Sequence, residues 1–232
     1  MSIKGLLFDF NGTLFFDSDF HIGAFDECYG IYGIEPLSRE YVINNLFGKN
    51  NHDICNSYFV PNATEADVVR YGEVKESAYM RKCLACPDKM KLCDGAAEML
   101  DYLKAHNIPY CIATGSPIQN VEFYFEHLGL GRWFTLDNIV YAAGSFQGKP
   151  APACYLLAAK RLGLDASECA VFEDGTSGIM AANAANAQRV IAVWEEGIPS
   201  PLTELTHVDE IHHDLSDWRG ILSRLGFEVT ER

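Results

Sequence analysis

The chain has 232 residues, 48% of them hydrophobic and 22% charged. That is the balance of a globular protein, and it excludes a disordered chain of low hydrophobicity and high net charge. Eighteen basic residues against thirty-two acidic ones give a formal net charge of −14, which excludes a general nucleic-acid or anionic-membrane binder, since both need a basic surface.

Ile3–Phe10 reads as a buried strand. The opening Met1-Ser2-Ile3-Lys4-Gly5-Leu6-Leu7-Phe8-Asp9 is not read as a signal peptide, because its apolar run is short and ends at a carboxylate. No stretch approaches the roughly 20 apolar residues that span a bilayer, so a cytoplasmic protein is expected. From about Asp17 to Asp88 the pattern turns helical, with amphipathic stretches at His21–Tyr32, Asp53–Tyr58 and Glu65–Leu84 and no clear strand. This predicts a helical cap domain over residues 17–88, inserted into a core built from 1–16 and 89–232. Alternation then resumes: helix Gly95–His106, strand Pro109–Ala113, helices Ile118–Leu128 and Ala153–Leu162, strand Cys169–Phe172, helix Gly178–Asn186, strand Arg189–Val193 and a closing helix over Leu215–Leu225. Short apolar strands alternating with helices predict an α/β fold, a doubly wound, Rossmann-like parallel sheet covered on both faces.

Eight cysteines are scattered along the chain, and Cys83-Leu84-Ala85-Cys86 is the one close pair. Zinc with Cys93 as a third ligand competes with small buried thiols in a reducing compartment, and the latter is the simpler reading. His212 and His213 are adjacent in a predicted strand, so they point to opposite faces and do not share a metal.

In a doubly wound sheet, ligands bind beyond the carboxyl ends of the strands, and the polar residues at those ends form a set. The first strand ends in Asp9-Phe10-Asn11-Gly12-Thr13, the second in Thr114-Gly115-Ser116, the segment Tyr141–Gly148 leads into Lys149-Pro150, and another strand ends in Glu173-Asp174. A carboxylate such as Asp9 can attack phosphorus and carry a phosphoryl group. Glu173 and Asp174 add oxygens suited to Mg²⁺, which also lets carboxylates and phosphate share a site. Thr114, with the backbone N–H groups of Gly115 and Ser116, can hold phosphoryl oxygens at a helix N-terminus, and Lys149 supplies fixed positive charge. Each has an ordinary structural reading: a turn at Asn11-Gly12, helix caps at Thr114 and Glu173-Asp174, a solvated loop lysine at Lys149. Turn chemistry does not explain a carboxylate ending an apolar strand.

Taken together and in order, these motifs resemble those of the haloacid dehalogenase-like hydrolases. Asp9-Phe10-Asn11-Gly12-Thr13 is similar to the Asp-x-Asp-Gly-Thr/Val motif, and Thr114, Lys149-Pro150-Ala151-Pro152 and Glu173-Asp174 are similar to the second, third and fourth. The insertion resembles that of the β-phosphoglucomutase-like subfamily with a small helical cap. The resemblance implies a Mg²⁺-dependent phosphatase of a small phosphorylated metabolite, expected to be monomeric. Asp9 would be the nucleophile, Asn11, Thr114 and Lys149 its catalytic companions, and Asp9, Asn11 (through its backbone carbonyl), Glu173 and Asp174 the metal ligands. Gly115, Ser116 and the cap residues His21, Lys49, Asn50 and Lys75 would meet the substrate, although His21 fits a partly buried cap residue equally well and Lys75 fits a solvated helix face somewhat better. A sugar-phosphate mutase is the alternative, weakened because the Gly48-Lys49-Asn50 loop lacks the arginine that grips a distal phosphate; a silent metabolite-binding protein is a third reading. The dehalogenase branch is disfavoured by the metal-type Glu173-Asp174.

Asn11 departs from the pattern, which has a second aspartate there to protonate the leaving oxygen. An amide donates a hydrogen bond but does not shuttle a proton. The sequence leaves three accounts open: a natural variant with another acid or a better leaving group, a change made to trap a complex, or a binding protein derived from an enzyme.

Overall fold

The first apolar run becomes β1, Gly5–Phe8, with all four residues buried. It is the middle of a parallel sheet whose other strands are β2 (Tyr110–Ala113), β3 (Ile139–Val140), β4 (Cys169–Glu173), β5 (Arg189–Val193) and β6 (Glu210–His212). The computed structural model describes residues 2–143 and 146–229; residues 144–145, within the segment Tyr141–Gly148, and Met1 lie outside them. Among the described residues the strand order is β3-β2-β1-β4-β5-β6, so the direction of winding reverses beside β1.

Side chains alternate across the sheet. Leu6 and Phe8 face one cluster, and Leu7, between them, faces the other. The first cluster is filled by Met99, Leu100 and Leu103 of α5 (Ala96–Ala105), Val121 and Tyr124 of α6 (Ile118–His127), and Trp218 and Leu222 of α9 (Trp218–Arg224). The second is filled by Tyr155 and Ala158 of α7 (Ala153–Arg161) and Ile179 and Ala182 of α8 (Thr176–Ala184). Apolar strands covered on both faces are what the sequence pattern required.

The interval after β1 is helical: α1 (Ser18–Tyr32), α2 (Arg39–Asn45), α3 (Asn51–Ile54) running into a π-helical turn at Cys55–Phe59, and α4 (Glu65–Leu84). Phe25, Tyr29, Ile54, Phe59 and Tyr71 make a cluster of their own there. Ala78, Tyr79 and Cys83 of α4 instead join the cluster under β1. The bounds of α4 are those predicted, because Thr64 and Asp67 close a reciprocal capping box at its start. The predicted stretch Asp53–Tyr58 is split between two helix types, and α2, which buries only Val42, carries too little apolar periodicity to have been read. β3, two residues long, was missed for the same reason, whereas β6, at the sheet edge and only partly buried, holds His212 of the strand predicted there. No helix is long and apolar enough to cross a membrane among the described residues.

Register brings the candidate residues level. Phe8 pairs with Ile112 on one side and with Phe172 on the other, so Asp9, Thr114 and Glu173-Asp174 all emerge on the same rim. Gly12 turns the chain out of β1 with φ +82, and a Cβ there would lie 2.1 Å from Asp174 Oδ2. That approach leaves room for glycine alone.

Candidate active site

The rim opens into a pocket between the strand ends and the helical segment, lined on the sheet side by Asp9, Asn11, Thr114, Ser116, Glu173 and Asp174. Behind that lining lies the buried Lys149. Its Nζ donates to Asp9 Oδ1 and to Glu173 Oε1, each at 2.5 Å. Glu173 Oε1 also accepts from the Tyr155 hydroxyl at 2.9 Å, and Oε2 from the backbone N–H groups of Asp174 and Gly175, both at 2.9 Å. Gly178 leaves space for this carboxylate, since a Cβ there would fall 1.7 Å from Oε1. Glu173, expected as a metal ligand, therefore has both oxygens engaged in holding Lys149 and the turn after β4.

Burial opposes the charge on Lys149, but the attraction of Asp9 and Glu173 outweighs it and raises its pKa. One cation does not neutralise three carboxylates. Burial, opposed by Lys149 and reinforced by Glu173, pushes the Asp9 carboxyl up to about 7. Burial together with Glu173 and Asp9 holds Asp174 well above the usual carboxylate range. Ionising all three would leave a surplus of negative charge that a divalent cation would offset. Asp9 Oδ1 is taken by Lys149 and Asp174 Oδ1 by the Thr13 hydroxyl at 3.2 Å, so each carboxylate keeps one oxygen without a hydrogen bond among the described residues. No three His, Cys, Asp or Glu side chains converge as a ligand set among those residues. A cation here would take Asp9 and Asp174 and complete its shell from backbone oxygen, substrate and water, the habit of Mg²⁺.

Asn11 is gripped at both ends. Its amide nitrogen donates to Asp17 Oδ2 at 2.6 Å and to the Tyr124 hydroxyl at 2.7 Å. Its carbonyl oxygen accepts from Ser116 Oγ at 2.7 Å and, more loosely, from Thr114 Oγ1 at 3.4 Å. The Ser116 N–H donates to Thr114 Oγ1 at 3.1 Å, closing the turn after β2.

The helical side brings His21 and Lys49 to the pocket together with Lys75. The solvated reading of Lys75 is corrected: it is 6% exposed, and its ammonium pairs with Glu76 at 2.9 Å beneath the rings of Phe25 and Tyr79. Glu76 also accepts from Asn51 Nδ2 at 2.8 Å and from Asn120 Nδ2, on α6, at 2.6 Å. Burial opposes its ionisation, but Lys75, His21 and these hydrogen bonds together hold its pKa below the ordinary value. His21 stacks on Tyr79 at 4.2 Å and leaves a buried Nδ1 without a partner among the described residues. Asn50 is not among the pocket-lining residues; its side chain caps α3 through Asp53, and Asn51 takes the place on the wall. All eight cysteines are free thiols; Cys83 and Cys93 are buried and Cys86 is exposed. His212 pairs with Glu210 and His213 with the Trp194 carbonyl.

Asp17, Glu76, Asn120 and Tyr124 were missed by sequence reasoning. Tyr124 packs in the core, save for its hydroxyl. Glu76 adjoined a lysine already singled out, and that adjacency was the one signal available.

The model of the haloacid dehalogenase-like hydrolases matches residues 3–186. The chain belongs to that family. Among its relatives, the fructose-1-phosphate phosphatase YqaB of Escherichia coli is 30% identical over 188 residues, 80% of this chain and 94% of that protein. Hexitol phosphatase A of Escherichia coli is 30% identical over 218 residues, 93% of each chain. Among solved structures, a family hydrolase of Entamoeba histolytica superposes with a TM-score of 0.79 at 35% identity, over 93% of this chain and 95% of that one. A β-phosphoglucomutase of Clostridium difficile superposes with a TM-score of 0.77 at 21% identity, covering 96% and 97%, and shares the fold. The fold expectation is met, and the named relatives make this hydrolase a phosphatase by kinship.

Proposed function

We propose that the chain is a Mg²⁺-dependent phosphohydrolase of a small phosphorylated, sugar-like metabolite, with residues 17–88 as the cap over its active site. The observation that carries this reading is Lys149 bridging Asp9 and Glu173 at the pocket floor. A buried carboxylate aimed into a pocket, with a fixed ammonium behind it, is a nucleophile with its charge stabilised. The two relatives named above, phosphatases of fructose 1-phosphate and hexitol phosphates, support the substrate class.

In this reading an Asp9 oxygen attacks phosphorus, the bond from phosphorus to the leaving oxygen breaks, and water then cleaves the aspartyl-phosphate to release inorganic phosphate. Lys149 holds Asp9 in place and balances charge on the transferring group. The Thr114-Gly115-Ser116 turn and the Thr114 hydroxyl orient the phosphoryl oxygens. Bound Mg²⁺, held by Asp9, Asp174 and the Asn11 backbone carbonyl, would supply positive charge at the phosphoryl oxygens. Lys49, His21 and the Lys75–Glu76 pair face the remainder of the substrate, an arrangement of cation, imidazole and carboxylate suited to hydroxyls. The test is phosphate release from a panel of sugar phosphates, acyl phosphates and pyrophosphate, with and without Mg²⁺. Mg²⁺-dependent release is expected; no release from any of them would refute the reading.

A further inference from the structure

Asp17 stands at the N-cap of α1, where an aspartate ordinarily bonds to the first turn, yet its side chain makes no capping hydrogen bond. The carboxylate is turned inward instead. Its Oδ2 accepts from the Asn11 amide at 2.6 Å and from the Tyr79 hydroxyl at 2.5 Å, with His21 Nε2 at 3.3 Å. The second amide hydrogen of Asn11 goes to the Tyr124 hydroxyl, which lies 3.2 Å from that of Tyr79. The carbonyl end faces the Ser116 hydroxyl. Reversing the amide would set its oxygen against the Asp17 carboxylate, so the surroundings distinguish its two ends.

The same surroundings reject a carboxylate at residue 11. An oxygen in place of the amide nitrogen would face Asp17 Oδ2 where a hydrogen bond now runs, and the Asp17 side chain, 1% exposed at the pocket wall, is little screened. The buried lysines of the pocket are committed elsewhere, Lys149 to Asp9 and Glu173, Lys75 to Glu76. With both amide hydrogens engaged, residue 11 offers the leaving oxygen neither a proton nor a hydrogen bond.

We propose that residue 11 is an obligate amide in this chain, that Asp17 is the positioning residue holding it, and that among small phosphorylated, sugar-like metabolites the site turns over fastest those whose leaving group departs without a proton, acyl phosphates and phosphoanhydrides ahead of alkyl phosphates. The leaving-group part rests on the phosphohydrolase reading. The Asp9 oxygen forms the new bond to phosphorus while the old bond breaks, and the electron pair leaves on a carboxylate or phosphate. Water then cleaves the aspartyl-phosphate, regenerating the Asp9 carboxylate and giving its proton to phosphate and solvent.

The test compares wild type, Asn11→Asp, Asp17→Asn and the exchanged double variant by thermal midpoint. In parallel, kcat/KM is measured with Mg²⁺ on acetyl phosphate and on glucose 6-phosphate. Each single change is expected to lower the midpoint by about 5 °C or more, and the exchange to recover most of it by restoring a carboxylate–amide pair in reverse order. Wild type is expected to prefer acetyl phosphate by at least about 10²-fold, and the exchanged variant, with a carboxyl at residue 11, to narrow that ratio about tenfold or more. Additive losses without recovery, or an Asn11→Asp variant as stable as wild type and faster, would overturn the pairing. Equal rates of wild type on both substrates would overturn the leaving-group preference. Release from neither substrate would overturn that preference together with the phosphohydrolase reading, while the thermal cycle judges the pair by itself.

Discussion

The floor of the pocket and its wall solve opposite electrostatic problems. On the floor, Asp9, Glu173 and Asp174 crowd around one ammonium, so that ionising all three leaves negative charge in excess. On the wall, each buried group has its partner: Lys75 ion-pairs with Glu76, and the Asn11 amide donates to Asp17. A floor left short of positive charge is poised to take up a cation and a phosphate; a balanced wall is poised to stay as it is. Chemistry belongs to the first and shape to the second, and substitutions should separate them.

The largest effect belongs to Asp9. Asp9→Asn is expected to reduce turnover by about 10⁴-fold or more on every ester, as loss of a nucleophile does, measured as initial rates of phosphate release. Lys149→Met comes next. It leaves two buried carboxylates without their cation, so unfolding by urea should show a loss of about 3–5 kcal/mol as well as lost activity.

Metal removal distinguishes floor from wall directly. Saturating Mg²⁺ should raise the stability of wild type by about 2–3 kcal/mol at a hundredfold excess over its dissociation constant. Asp174→Asn should abolish that gain in a thermal melt, while Glu76→Gln should keep it. A gain that survives Asp174→Asn would move the cation elsewhere.

The smallest effect is a pH dependence on the wall. The Glu76 pKa is lowered on folding, so its contribution is present above the unfolded value, near 4.5, and is lost as pH falls through the folded one. Wild type should lose stability over that acid range more steeply than Glu76→Gln, read from urea midpoints between about pH 3 and pH 6.

The same division explains what the sequence made legible. Asp9, Thr114 and Glu173-Asp174 end apolar strands, and parallel register carries strand ends to one rim, so the floor followed from periodicity alone. Asp17 and Tyr124 are 107 positions apart in number and meet only because α4 and α6 pack together through Tyr79. Asp17 stood only at the boundary of the predicted helical interval, and nothing in the aromatic run around Tyr124 marked its hydroxyl. Lys75 read as solvated because nothing local showed that α4 buries that face against Phe25. Elements with strong apolar patterns, β1, β5 and α4, were legible; α2 and β3 bury too few side chains to leave a pattern.

The central claim is that Asp9 accepts the phosphoryl group. The most direct measurement is mass spectrometry of the protein quenched in acid during turnover of acetyl phosphate with Mg²⁺. The account predicts a phosphoryl adduct on the peptide bearing Asp9, accumulating because Asn11 does not activate the water that cleaves it, and missing from Asp9→Asn. Steady turnover with no adduct on that peptide, or an adduct that persists in Asp9→Asn, would contradict it.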